Sequence, residues 1–169
     1  RQPSGGVNWR YFPESTPGMP NSTIGWPGIT EPAAFDPPAG FYPSGMQVTL
    51  STGNPSDVIY YTTNGEEPND GSAVYQQPVY VFETTVIRAL AVHSGYLPGK
   101  VSTSTFFIGA NHDLPIVSLS TAPDNIFDPE TGIYHDNNIW EDWERPIHVE
   151  FFENMDSLGF SMDAGVKIT

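Results

Sequence analysis

The stretch VIYYTTNGEEPNDG, residues 58–71, joins a β-branched and aromatic run to a polar loop with three acids. Ile59 and Tyr61 alternate with their neighbours, as the side chains of a strand do when one face is buried. Asn64-Gly65 is a strong turn signal, because both residues tolerate the backbone conformations that tight turns require. The stretch therefore predicts a strand followed by a turn, with a cation site in the acidic loop as the alternative.

The same pattern of short strands and turns continues through residues 29–109. In TTVIRALAV, residues 84–92, apolar side chains occupy both faces, which predicts a central strand. Strands of this length with turns about ten residues apart are typical of an immunoglobulin- or fibronectin-III-like β-sandwich. The predicted fold class is all-β, and the other predicted strands are MQVTLST (46–52), AVYQQPVYVFE (73–83) and VSTSTFFIG (101–109).

Two further segments flank this sandwich. Residues 1–28 contain Trp9, Tyr11 and Phe12, which predict an N-terminal strand, and then a Pro- and Gly-rich linker. Residues 110–169 predict a β-rich, incomplete second domain. Its strands are LPIVSLST (114–121), WERPIHVEFFE (143–153) and DAGVKI (163–168), with a helical turn after Pro123 and a hairpin connection in ENMDSLG (153–159). Within IHVEFFE, residues 147–153, Ile147, Val149 and Phe151 alternate with His148, Glu150 and Phe152, the pattern of a half-buried strand.

Composition excludes several function classes. The 169-residue chain carries six Lys and Arg against twenty Asp and Glu, a formal charge of −14, which argues against nucleic-acid binding. The chain has no cysteine, so disulfides, thiolate nucleophiles and Cys-ligated zinc are excluded. No apolar run reaches the roughly 20 residues of a membrane span. Such an acidic surface suits an exported protein and attracts calcium or basic partners.

Four segments resemble the chitobiase/β-hexosaminidase C-terminal-type module, a small immunoglobulin-like sandwich. They are ITEPAAFDPPAGFYPSGMQVTLST (29–52), VIYYTTNGEEPN (58–69), VYQQPVYVFETTVIRALAV (74–92) and GYLPGKVSTSTFFI (95–108). The resemblance implies a fold and an accessory role in exported multidomain bacterial proteins, and it implies no reaction.

The last sixty residues resemble the start of a spore-coat-protein-H-like (CotH) kinase domain. The matching strings are LPIVSLST, PDNIFDPETGIY, WERPIHVEFFE and SLGFSMDAGVKI, from Leu114 to Ile168. In that family the basic strand and the metal-binding aspartates lie beyond this point, so the resemblance implies no catalytic residue here. RYF and STPGMPN, within residues 10–21, resemble the closing strand and tail of a lamin-tail-like domain.

Acids near the second segment are candidate calcium ligands. PDNIFDPE (123–130) and HDNN (135–138) supply Asp124, Asp128 and Asp136, and calcium prefers six to eight such oxygens. Neither string matches the EF-hand loop, and Asp and Asn are also the residues that turns use for their own backbone bonds. No cofactor is expected apart from calcium at these three aspartates.

Trp140 and Trp143, three residues apart in NIWEDWERP, are candidates for a sugar-binding platform. Exposed aromatic faces beside carboxylates and amides are typical of such sites, whereas most aromatic side chains of small sandwiches fill the core. Enzyme chemistry has no matching motif, because the sequence lacks a phosphate loop, a G-x-S-x-G elbow and metal-type histidine spacing.

The sequence thus favours a non-catalytic structural, spacer or adhesion module of an exported or cell-surface multidomain bacterial protein. Its expected partners are the neighbouring domains of the same polypeptide, and a polysaccharide or a surface protein as a further ligand. One alternative is a carbohydrate- or protein-binding accessory module. The other is the N-terminal portion of a CotH-like protein kinase whose catalytic residues lie outside this chain.

Overall fold

The computed structural model describes residues 9–21, 24–154 and 157–168. Along the chain, the described residues form nine strands, then one short helix, and then two more strands. The strands are β1 Ala34–Asp36, β2 Gly40–Tyr42, β3 Met46–Ser51, β4 Val58–Thr62, β5 Ala73–Val74, β6 Val79–Val81, β7 Thr85–Val92, β8 Ser102–Ile108, β9 Ile116–Ser120, β10 Arg145–Asn154 and β11 Ser157–Val166, and the helix is α1 Pro123–Phe127.

Strands β1 to β8 form two sheets, and the predicted all-β, immunoglobulin-like sandwich is confirmed. One sheet has the order β1-β3-β6, and the other has the order β2-β8-β7-β4-β5. The core lies between them and takes aliphatic and aromatic side chains from both sheets. Its buried members are Ala33, Val48, Leu50, Ile59, Val81, Ile87, Ala89 and Phe106.

Strand β7 lies between β8 and β4, so the prediction of a central strand is confirmed. Ile87, Ala89 and Ala91 are buried in the core, as their period-2 spacing requires. The alternate residues, among them Arg88 and Leu90, lie on the outer face of the five-stranded sheet and are half-buried. This outer face is therefore covered by another part of the chain.

The polar loop after β4 is a long connection to β5, and its side chains bond to its own backbone. Asn64 accepts a hydrogen bond from the Glu66 N–H at 3.2 Å, and Thr62 donates to the Glu66 carbonyl at 2.6 Å. Gly65 has a φ of +85°, and a Cβ there would lie 3.0 Å from the Thr121 carbonyl oxygen. Glycine is therefore required both for the turn and for its close approach to the second segment.

Strands β9, β10 and β11 form a separate antiparallel sheet with β10 in the middle. Helix α1 begins at Pro123, so the predicted helical turn is confirmed, and β10 and β11 pair as the predicted hairpin. Met155 and Asp156 of its connection lie outside the described residues. Gly159, expected in the connection, lies within β11.

One face of this β9–β11 sheet, which we call the second sheet, is apolar and exposed. Val117 and Leu119 on β9 and Phe160 and Met162 on β11 flank β10 and point to the same face of the sheet. All four side chains are about half exposed or more. Contiguous exposed apolar surface of this kind is typical of a face that another protein layer covers.

The predicted N-terminal strand is not formed in the described residues before β1. Tyr11 makes only an isolated bridge with Trp26, and the ring of Trp9 is 72% exposed. Three aromatic side chains give a strand pattern, but a strand without a paired neighbour is not stable. Residues 1–8 of the predicted segment lie outside the described residues. Within the part of the chain that the structure describes, no helix is long and apolar enough to cross a membrane.

Candidate functional site

The second sheet lies against the outer face of the sandwich at strand β8. Thr103, Ser104, Thr105 and Phe106 are four consecutive buried residues of β8. A strand with one solvent-exposed face would bury only alternate residues, so β8 is covered on both sides. One side is the sandwich core, and the other side is β10, whose side chains contact Thr105 and Phe107.

An aromatic cluster fixes one end of this interface. Phe41 and Phe107, paired across β2 and β8, stack with centroids 4.5 Å apart and an interplanar angle of 11°. Phe152 of β10 meets both rings edge-on, at 5.6 Å from Phe41 and 5.3 Å from Phe107. Only 1% of Phe152 is exposed. Stacked and edge-to-face pairs are both favourable arrangements of aromatic quadrupoles. The cluster therefore stabilises the contact between the five-stranded sheet of the sandwich and the second sheet.

A buried carboxyl lies beside this cluster. Glu150 accepts hydrogen bonds from the Thr105 hydroxyl at 2.5 Å and from the Thr105 N–H at 3.3 Å. The Thr105 hydroxyl also bonds to that of Ser118 on β9, at 2.7 Å. Burial raises the pKa of Glu150, and the bonds from Thr105 and the nearby His148 oppose this only in part. The alternating pattern of residues 147–152 did not predict a buried glutamate.

A cleft of about 490 Å³ opens between the sandwich and the second sheet. Arg88 and Lys100 line it from the sandwich, and His148 and Asp163 line it from β10 and β11. Its volume lies within the roughly 300–1,000 Å³ that is typical of ligand-binding pockets. It also concentrates charged side chains in a chain that has only six Lys and Arg. These two properties make it the candidate functional site.

Four side chains form a continuous hydrogen-bonded series, and three of them, Lys100, His148 and Asp163, line the cleft. Lys100 Nζ lies 2.8 Å from Asp163 Oδ2, and His148 Nδ1 lies 2.7 Å from Asp163 Oδ1. The other ring nitrogen of His148 lies 2.9 Å from the Ser161 hydroxyl. The bonds from His148 and Lys100 lower the pKa of Asp163, and the bond to Asp163 raises the pKa of Lys100. Both groups are therefore held in their charged forms.

Asp163, His148 and Ser161 are hydrogen-bonded in the same order as the acid, base and nucleophile of a catalytic triad. The sequence has no G-x-S-x-G motif, however. In an α/β-hydrolase the elbow is a strained strand-to-helix turn that exposes the serine. Ser161 lies instead within β11, where its direct partner on β10 is Glu150. His148 is the direct partner of Asp163, so the series follows from cross-strand neighbours on one sheet face.

Comparison with known proteins finds a family model that matches part of the sandwich. Residues 37–103 match the model of the chitobiase/beta-hexosaminidase C-terminal domain. The matched segment runs from just after β1 into β8, so it includes Arg88 and Lys100 but no residue of β9–β11. Searches of curated proteins and of solved structures gave no match. The CotH-like and lamin-tail-like resemblances, which lie outside the matched segment, stay predictions.

The predicted tryptophan platform lies after α1, outside the chitobiase-type segment. Trp140 is 85% exposed. Trp143 is half-buried, and the Arg145 guanidinium lies 5.2 Å from the centroid of its ring. Arg145 also donates to the Thr131 carbonyl, from Nε at 3.0 Å. The structure therefore presents one exposed indole, while the second is engaged by a cation.

The predicted calcium ligands are Asp124, Asp128 and Asp136. Asp128 accepts three bonds within its own loop, from the N–H groups of Glu130 and Thr131 and from the Thr131 hydroxyl, and these bonds lower its pKa. Asp124 lies in the first turn of α1, and Asp136 is exposed. In residues 9–21, 24–154 and 157–168, no three or more His, Cys, Asp or Glu side chains form a metal-binding group. Calcium binding remains a prediction.

Proposed function

We propose that the chitobiase-type sandwich is a non-catalytic accessory module that holds the following β9–β11 segment in a fixed position. The observation that carries this proposal is the burial of Phe152 and Glu150 of β10 on the outer face of the sandwich. Burial of a phenylalanine contributes roughly 1.5–3 kcal/mol. A docked segment of this kind has a defined orientation relative to the module that carries it.

The matched family supports an accessory role in an exported protein. Its name refers to the C-terminal domain of chitobiase and β-hexosaminidase, that is, to a part of those enzymes and not to a reaction. The acidic surface, with a formal charge of −14, suits a secreted or cell-surface location and repels nucleic acid. The partners in this proposal are the neighbouring segments of the same polypeptide.

A distance measurement between two spin labels tests the fixed geometry. The chain has no cysteine, so Thr49→Cys on the far sheet and Leu119→Cys on β9 can be labelled specifically. Both side chains are exposed. We expect one narrow distance distribution in the labelled chain and a broad one after Phe152→Ala, because that change removes the aromatic contact between the sheets.

Phe151→Ala is the matched control, since Phe151 is the adjacent phenylalanine on the opposite face of β10 and stacks on Phe160 within the second sheet. It should leave the distribution narrow. A broad distribution in the unsubstituted labelled chain would show that the segment is not held, and the spacer proposal would then be abandoned.

Carbohydrate binding is the second candidate, and the exposed indole of Trp140 favours it. Chito-oligosaccharides are the first ligands to test, because the matched family is named after chitobiase. If Trp140 stacks on a sugar, Trp140→Ala should weaken binding about two- to tenfold, as expected for loss of 0.5–1.5 kcal/mol. Isothermal titration calorimetry measures the change.

Trp9→Ala is the control for Trp140→Ala, because Trp9 is also a largely exposed tryptophan but lies before the sandwich. Its removal should leave the affinity unchanged. Equal losses from both substitutions would indicate nonspecific adsorption to exposed indoles and would count against a platform at Trp140.

A further inference from the structure

Arg88 is a half-buried cation in the cleft between the five-stranded sheet of the sandwich and the second sheet. Its Nη1 donates to the Gly65 carbonyl at 3.0 Å, which ties the arginine to the turn after β4. Burial lowers its pKa, and the field of Glu67 and Asp163 only partly compensates. Removing a guanidinium from water without a counter-charge is costly. The cleft therefore contains a cation for which an anion would be a favourable neighbour.

The carboxylates near Arg88 do not form an ion pair with it in the described residues. Asp163 is bound by Lys100 and His148, and Glu67 forms no salt bridge among the described side chains. Within the same residues, Nε and Nη2 of Arg88 form no hydrogen bond, and Nε is buried. Because Nε is buried and Nη2 is not, Nη2 is the donor that a carboxylate oxygen of a ligand can reach.

Other walls of the cleft suit the rest of a sugar ring. Thr103 and Asn125 provide hydroxyl and amide groups, and Leu90 provides aliphatic surface for C–H groups. Lys100 lies at the mouth with a side chain that is 78% exposed, where it can approach a second oxygen. Sugars present hydroxyls around an apolar ring face, so this mixture of walls complements them.

We propose that this cleft binds an acidic sugar, with its carboxylate on Nη2 of Arg88. The ligand class is a uronic acid or a similar carboxylated sugar unit. This site is separate from the exposed Trp140, and it rests on the proposed function, because the cleft forms only where β9–β11 are held against the sandwich. The Glu67 and Asp163 carboxylates limit the affinity, because both line the same cleft, and Asp163 also pairs with Lys100 and His148.

Titration with three small probes tests the ligand class. Methyl glucuronide, methyl glucoside and acetate separate the contributions of the carboxylate and of the ring. Chemical-shift changes of the Arg88, Thr103 and Lys100 amides report binding at the cleft. We expect methyl glucuronide to bind more tightly than either of the other probes. Equal binding of glucoside would refute recognition of the carboxylate, equal binding of acetate would refute recognition of the sugar, and no binding would refute the site.

Substitutions at two matched ion pairs test the residues. Lys100–Asp163 lines the cleft, whereas Lys167–Asp142 is a similar exposed pair elsewhere, with nitrogen–oxygen distances of 2.8 and 2.7 Å. Asp163→Asn should tighten glucuronide binding about threefold or more by removing a competing charge. Asp142→Asn should not change it. Because unfolding cannot cause tighter binding, this gain is the decisive result, and its absence would overturn the proposal.

Loss-of-binding variants complete the test. Arg88→Gln should weaken glucuronide binding roughly tenfold or more, as expected for charge-assisted hydrogen bonds. Lys100→Gln should weaken it less, and Lys167→Gln should leave it unchanged. If Arg88→Gln folds, as its amide spectrum would show, and binds glucuronide as tightly as the unsubstituted chain, the carboxylate is not on Arg88.

Discussion

Phe152→Ala is expected to lower the free energy of unfolding by about 3–5 kcal/mol. The ring is 1% exposed and meets Phe41 and Phe107 edge-on, so its removal leaves a cavity between two sheets and not a gap at the surface. The loss combines the transfer free energy of the ring with the cost of the cavity. Urea unfolding followed by tryptophan fluorescence and by circular dichroism measures it.

Phe151→Ala provides the comparison, because it deletes the same atoms from the opposite face of β10. Phe151 is only half-buried and stacks on Phe160, which is 48% exposed, so we expect a loss of about 1–2 kcal/mol. A loss from Phe152→Ala no larger than that from Phe151→Ala would mean that the interface with the sandwich contributes little to stability. The fixed-geometry proposal would then lose its energetic basis.

The sandwich was predictable from the sequence because its strands have simple periodicity. Val48 and Leu50 alternate with polar residues in β3, and Ile87, Ala89 and Ala91 alternate with half-buried residues in β7. Strand β3 buries the face that its apolar side chains define, whereas β7 has apolar side chains on both faces, as a central strand does. The match to the family model at residues 37–103 rests on the same strands.

The second sheet was predicted only as a set of strands, since its buried face does not follow apolarity. In β10, Val149 and Phe151 lie on the more exposed face, while Glu150 and Phe152 are buried against the sandwich. A glutamate is rarely buried unless its carboxyl is bonded, and its partner Thr105 lies 45 positions earlier in the chain. Alternation within one strand gives two faces but does not show which of them another domain covers.

The cleft was not predicted for a similar reason. Lys100 and Asp163 are 63 positions apart, and Ser161 reaches His148 only through the register of the β10–β11 hairpin. The sequence shows these residues as separate charges in separate strands. Local motifs identify catalytic elbows and metal loops because those sites are short in sequence, whereas this site forms from several distant segments.

The free energy of unfolding of the Glu150→Gln chain, minus that of the unsubstituted chain, is expected to increase as the pH rises from 4 to 7. Burial raises the pKa of Glu150 in the folded state above the roughly 4.3 of an unfolded glutamate. Below that value both states hold the proton, so the group adds no pH dependence. As the pH rises through the folded pKa, the unfolded chain releases its proton first, and the stability of the unsubstituted chain falls. Glutamine does not titrate, and its stability lacks this loss.

Urea titration at pH 4, 5, 6 and 7 measures the free energy of unfolding of the two chains. The difference between the two values isolates the effect of Glu150, because His148, Asp163 and the other charged groups are common to both chains. Glu153→Gln, at an exposed position on the same strand, is the matched control for loss of a carboxylate. Glu150→Ala should cost about 1–3 kcal/mol even at pH 4, because the Thr105 N–H then lacks its partner. A difference for Glu150→Gln that is constant, or that falls with pH, would show that Glu150 is not desolvated and that water enters the contact between the two sheets.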